Sequence, residues 1–119
     1  MKTYKDLEVW KKSISLVTEI YSITKSFPKE EMYGLTNQIR RASVSVPSNI
    51  AEGAARQTNK EFIQFLYIAL GSNTEFETQL LIAYNLNFIS EVDYDNCHRK
   101  VDEIGKMLSG LISYRKSKY

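Results

Sequence analysis

Gln38-Ile-Arg-Arg-Ala-Ser-Val-Ser-Val-Pro-Ser-Asn-Ile-Ala-Glu-Gly-Ala-Ala-Arg56 is a helical pattern crossed by a proline, an asparagine and a glycine. Leu35, Ile39, Ala42, Val46, Asn49, Ile50 and Gly53 recur at steps of three and four, which sets them in one stripe on an α-helix. Arg41, Ser45, Glu52 and Arg56 fall on one flank of that stripe. The opposite side carries Arg40, but also Val44, Pro47, Ala51 and Ala55. A helix apolar on two sides has two partners, read here as the chain's own core and a second subunit. Pro47 removes one backbone donor and crowds the carbonyl four residues back, which predicts a kink between Ser43 and Val46. Ser43 and Ser45 are placed to serve the freed carbonyls.

Three further helices flank this one. Asp6 is a candidate cap for the first. Its stripe is expected at Leu7, Trp10, Ile14, Val17 and Tyr21, with Val9, Leu16, Ile20 and Ile23 widening the apolar face. It should end near Ser26, because Phe27 precedes Pro28 and is pushed out of the α region. Helix two then runs from about Gly34 to Arg56. Thr58-Asn-Lys-Glu61 forms a capping box that opens helix three at Asn59. That helix, reaching about Asn87 or Phe88, is apolar on most sides and is predicted to be enclosed. Asn73 and Glu77 stand on its apolar side and need partners, for which Arg41 and Arg56 are the nearest supply. Ser90-Glu-Val-Asp93 caps helix four, whose stripe is Cys97, Val101, Ile104, Leu108, Leu111 and Ile112. Four helices on short connections, without a strand pattern, predict an all-α, antiparallel, up-and-down four-helix bundle in one domain over residues 1–119.

The 119 residues suffice for one core, and 43% hydrophobic with 25% charged is ordinary globular composition. The formal charge of +2 says less than its distribution. No Lys or Arg occurs between Lys60 and Arg99, a span that holds Glu61, Glu75, Glu77, Glu91, Asp93 and Asp95. Basic groups gather instead at the N-terminus, around Arg40 to Lys60, and at Arg115 to Lys118. A lone Cys97 rules out an intramolecular disulfide. The N-terminus lacks the apolar run of a signal peptide and no stretch spans a membrane, so a cytoplasmic location is expected.

Reaction chemistry is missing. His98 is the single histidine, and the Glu-x-x-His pairs of di-iron bundles do not occur. Cys97 sits on a core stripe, where a thiol behaves as a small hydrophobe. No phosphate-cradling glycine loop is present. Glu75 and Glu77, two apart on a helix, point about 200° from each other and cannot share a site. The reading is of a non-enzyme without cofactor or metal.

Tyr4-Lys-Asp-Leu-Glu-Val-Trp10, Tyr33-Gly-Leu35, Gln38-Ile-Arg-Arg-Ala42, Val46-Pro-Ser-Asn-Ile-Ala-Glu-Gly53 and Glu77-Thr-Gln-Leu80 together resemble the four-helix-bundle proteins encoded within intervening sequences of bacterial 23S ribosomal RNA genes. The resemblance implies a ring-like homopentamer, no enzymatic activity, and a distant similarity to the nucleic-acid-associated accessory protein of diversity-generating retroelements. Five subunits of +2 carry +10, which strengthens the case for nucleic acid, RNA or DNA, as a partner. Lys11, Lys12, Arg40, Arg56, Lys60, Arg115 and Lys116 are the candidate phosphate contacts. The alternative is a scaffold for a separately encoded protein. Arg41, Asn49, Glu52, Asn73 and Glu77 are expected to form a structural polar network between helices two and three, with Arg56 as a further candidate partner, rather than an active site.

Overall fold

The computed structural model describes residues 3–118. Four α-helices, α1 (Glu8–Thr24), α2 (Asn37–Ala54), α3 (Asn59–Asn85) and α4 (Glu91–Lys116), make up the fold, and no strand occurs among the described residues. Each helix packs on the next in sequence, and α1 closes the bundle against α4. Neighbours run antiparallel, as their cross-contacts show: Lys12 meets Glu103 while Glu19 meets Lys100, and Asn59 meets Arg115 while Tyr84 stacks on Tyr94.

Local chemistry sets most boundaries. Thr58 Oγ1 accepts the Glu61 N–H at the start of α3, and Ser90 Oγ accepts the Asp93 N–H at the start of α4. The return half of the expected Thr58 capping box differs: the threonine hydroxyl, not its N–H, donates to the Glu61 carboxylate. α3 ends in a Schellman turn. The Phe88 N–H reaches the Ala83 carbonyl and the Asn87 N–H the Tyr84 carbonyl, with Asn87 at φ 64°, a left-handed conformation that asparagine tolerates. Asp6 does not cap α1. It accepts the Thr3 N–H within a short 3₁₀ turn, Tyr4–Asp6, and Leu7 stands at the N-cap without a side-chain bond. Between α1 and α2 the chain makes a 3₁₀ turn and one π-helical turn, Met32–Thr36. Gly34 there adopts a non-helical backbone, so α2 starts at Asn37.

α2 runs without interruption across Pro47. Ser43 Oγ donates to the Arg40 carbonyl, and the Ser45 carbonyl accepts from Asn49 Nδ2.

The core holds Ile39, Ala42, Val46 and Ile50 of α2, Leu66, Ala69, Phe76 and Leu80 of α3, and Cys97, Val101, Ile104 and Leu108 of α4. α1 departs from expectation. Its buried stripe is Val9, Ser13, Leu16, Ile20 and Thr24, whereas Ile14 and Tyr21 are exposed and Trp10 and Val17 only half-buried. Two polar residues take core positions because their hydroxyls are satisfied inside the helix: Ser13 Oγ donates to the Trp10 carbonyl and Thr24 Oγ1 to that of Ile20. α3 is not enclosed in the single chain either. Phe62, Leu66, Asn73, Phe76 and Leu80 face inward, but Ile68, Leu81, Ile82 and Leu86 are exposed.

Candidate functional site

Antiparallel order brings the end of α2, the start of α3 and the end of α4 to one end of the bundle. Asn59, the first residue of α3, ties α3 to α4 there: its Nδ2 donates to the Arg115 carbonyl at 2.9 Å while its Oδ1 accepts from the Arg115 guanidinium. Arg56, Lys60, Arg115, Lys116 and Lys118 therefore share that end. Aromatic rings underlie four of them. The Arg56 guanidinium lies 4.7 Å from the Phe65 ring centre and that of Arg115 4.8 Å from Phe62. Lys116 Nζ sits 5.1 Å from Tyr67, and Lys118 Nζ 4.8 Å from Tyr114. Such contacts hold a cation in place while leaving its outer face to solvent.

The remaining candidate cations do not join this group. Lys11 pairs with Glu8 one turn back on α1, near the same end. Lys12 is engaged across the bundle by Glu103 at 2.7 Å; the hydrogen bond and the charge of Glu103 raise the lysine pKa, and Lys12 lowers that of Glu103 by the same two effects. Arg40 lies toward the opposite end, where its Nε donates to Thr24 Oγ1 at 2.8 Å and its guanidinium covers Tyr21 at 4.7 Å.

The five polar residues expected to form one network are divided instead among separate contacts. Asn73 faces α4 rather than α2, and its buried Nδ2 donates to the Val101 carbonyl at 3.0 Å. Its Oδ1 is buried and without a partner among the described residues. Glu77 also turns to α4 and meets His98 at 3.5 Å, both half exposed. Glu52 contacts Arg56 along α2 at 3.6 Å, and Arg41 is exposed. Only Asn49 serves the α2–α3 junction, through Ser45, whose hydroxyl meets that of Ser72 at 2.9 Å. The Ser45–Ser72 pair is the bridge that sequence reasoning missed. Ser72 stands between two apolar runs, and small-residue spacing was its only signal.

A second feature lies between α1 and α2. Trp10, Ile14, Val17, Val44, Pro47 and Ala51 line an open, mostly apolar groove of about 350 Å³. The apolar side of α2 expected to have a second partner is one wall of it. Cys97 is fully buried, and burial pushes its thiol up to about 12, so it offers no nucleophile. Among the described residues no cluster of His, Cys, Asp and Glu is placed to hold a metal ion, and no helix is long and apolar enough to cross a membrane.

The family model of the 23S rRNA-intervening sequence protein matches residues 5–110. The chain belongs to that family. A crystal structure of a protein of unknown function from the S23 ribosomal protein family of Bacteroides thetaiotaomicron superimposes with a TM-score of 0.82. It is 28% identical, over 88% of this chain and 95% of that one. No curated protein matches. For a 23S rRNA-intervening sequence protein the four-helix arrangement is thus shared with a solved relative that is itself of unknown function.

Proposed function

We propose that this protein is a non-enzymatic, cytoplasmic, self-associating module that binds structured RNA through the basic end of the bundle. The observation that carries the reading is the convergence of Arg56, Lys60, Arg115 and Lys116 at one end, with rings beneath three of them. Cations held over rings with an outer face left to solvent contact phosphates, Arg56 exchanging its 3.6 Å contact with Glu52 for one, and guanidinium planes next to aromatic rings accept unstacked bases. Exposed Ile68, Ile82 and Leu86 and the α1–α2 groove support self-association, since a small monomer rarely leaves that much apolar surface in water. A homopentameric ring with α2 bent at Pro47 is the assembly proposed, and it repeats the basic end five times around one axis.

The test is fluorescence anisotropy on a 23S ribosomal RNA fragment between 50 and 200 mM salt, with light scattering on the same sample. Binding should weaken steeply with salt, and Arg56→Glu with Lys60→Glu should reduce the log–log slope by about 1.5 to 2, as for two lost phosphate contacts. Affinity independent of salt, or unchanged in the double variant, would overturn RNA binding at this end. A protein retained from nuclease-treated lysate in place of RNA would replace it with the scaffold reading. A scattering mass that stays at 13.8 kDa would remove self-association.

A further inference from the structure

We infer that self-association joins two different faces of the chain: the α1–α2 groove of one copy receives the exposed ridge of α3 from the next. This rests on the self-association proposed above and names its partner surfaces. The groove is concave, and its exposed walls are Ile14 at 39% and Val44 at 36%. Pro47 and Ala51 between them are small enough for a helix to approach closely. The ridge is convex and follows one helix, with Ile68 at 50% and Ile82 at 43% exposed, and Leu86, the C-cap residue, extending it at 53%. A groove does not fill a groove, and a ridge laid on a ridge leaves both flanks wet. A ridge in a groove is helix-into-groove docking, the arrangement that buries both.

Charge and spacing fit the same pairing. Glu75 stands midway between Ile68 and Ile82 on the ridge, seven residues from each, and α3 carries no Lys or Arg after Lys60. On the groove, Arg40 precedes Pro47 by the same seven residues, about 10.5 Å along a helix. Arg40 is fixed by Thr24 and Tyr21 at the groove's end. With Glu75 opposite Arg40, an isoleucine of the ridge therefore falls over Pro47. α1 and α3 are diagonal in the bundle, so one copy can use both faces at once. Each copy then gives one ridge and one groove, a head-to-tail contact that closes into a ring or propagates.

Complementation between two variants tests this. Val44→Arg blocks the groove and leaves the ridge; Ile82→Arg blocks the ridge and leaves the groove. Each alone should scatter as a monomer of 13.8 kDa, and a 1:1 mixture should double that mass and stop there, because one intact groove meets one intact ridge. Circular dichroism checks the fold of each variant, and Ile14→Arg and Ile68→Arg replace either one that fails to fold. Either variant assembling as the parent does, or a mixture that stays monomeric, overturns the pairing. A parent that is itself monomeric removes self-association altogether, a distinct result.

Discussion

Gly53 marks a close approach of α2 to α3, and Gly53→Ala puts a number on it. A β-carbon built there would lie 2.5 Å from Phe65 Cβ, 3.0 Å from Phe62 Cδ1 and 3.3 Å from the Phe62 carbonyl oxygen. Carbon atoms settle at about 3.5–4.0 Å, so roughly 1 Å must be found. The Phe62 ring can yield a little. Phe65 Cβ cannot, being bonded to the backbone, so the helices must part beside the fully buried Ile50 of α2 and Leu66 of α3. Overpacking of this kind costs about 1–3 kcal/mol, and the rigid neighbour places it at the upper end. Alanine returns about 1 kcal/mol of helix propensity, which leaves a net loss of about 2 kcal/mol, or about 8 °C in Tm for a domain of this size. Gly110→Ala is the control. Nothing lies within 4 Å of its β-carbon, so it should gain about 1 kcal/mol of stability from propensity alone. Urea and thermal unfolding of both variants decide the matter: if Gly53→Ala matches or exceeds the parent while Gly110→Ala stabilises, the tight contact is not there.

Asn73→Asp replaces a buried donor to the Val101 carbonyl with a carboxylate oxygen. Burial raises the pKa of such a group on folding, so stability should fall as pH rises above about 4 and recover in acid, the reverse of a paired surface carboxylate; a pH series of urea melts shows the sign. Cys97, at about 12 in the folded chain and near 9 when unfolded, favours the protein while it stays a thiol. Its contribution should be complete below pH 9 and drain away toward pH 12, and a thiol reagent at pH 8 should label it only as fast as the bundle opens.

What the sequence revealed follows from how local the chemistry is. Thr58, Ser90 and Pro28 act within one turn, and the helices they bound are where the pattern puts them. The α1 stripe was misleading because Ser13 and Thr24 look polar until their hydroxyls are found on carbonyls three and four residues back. For α3, apolar residues all round signal burial without saying by what, and a single chain leaves one side bare. Asn73 and Glu77 were assigned to α2 because the rotation of a helix about its axis, which decides which neighbour a residue meets, is set by the whole bundle. The basic end was partly legible, as sequence clusters at Arg56, Lys60, Arg115 and Lys116. Lys12 and Arg40 looked equivalent to them, because Glu103 is remote in sequence from Lys12 and the Tyr21 and Thr24 partners of Arg40 lie on the preceding helix.

The seam between α1 and α4 differs in kind from the other three. Each of those joins helices that follow one another, two of them across short turns and α1–α2 across residues 25–36, so less loop entropy opposes them. Glu19 must instead find Asn96 and Lys100, and Lys12 must find Glu103, across most of the chain, and the seam is fastened by these charged and polar contacts at 2.6–2.7 Å. Charges act at a distance and are weakened by salt, so this is the seam whose surface contacts ionic strength weakens most. The first helix is thus clasped twice, by Val9, Leu16 and Ile20 in the core, which salt does not loosen, and by charged rim contacts, which it does.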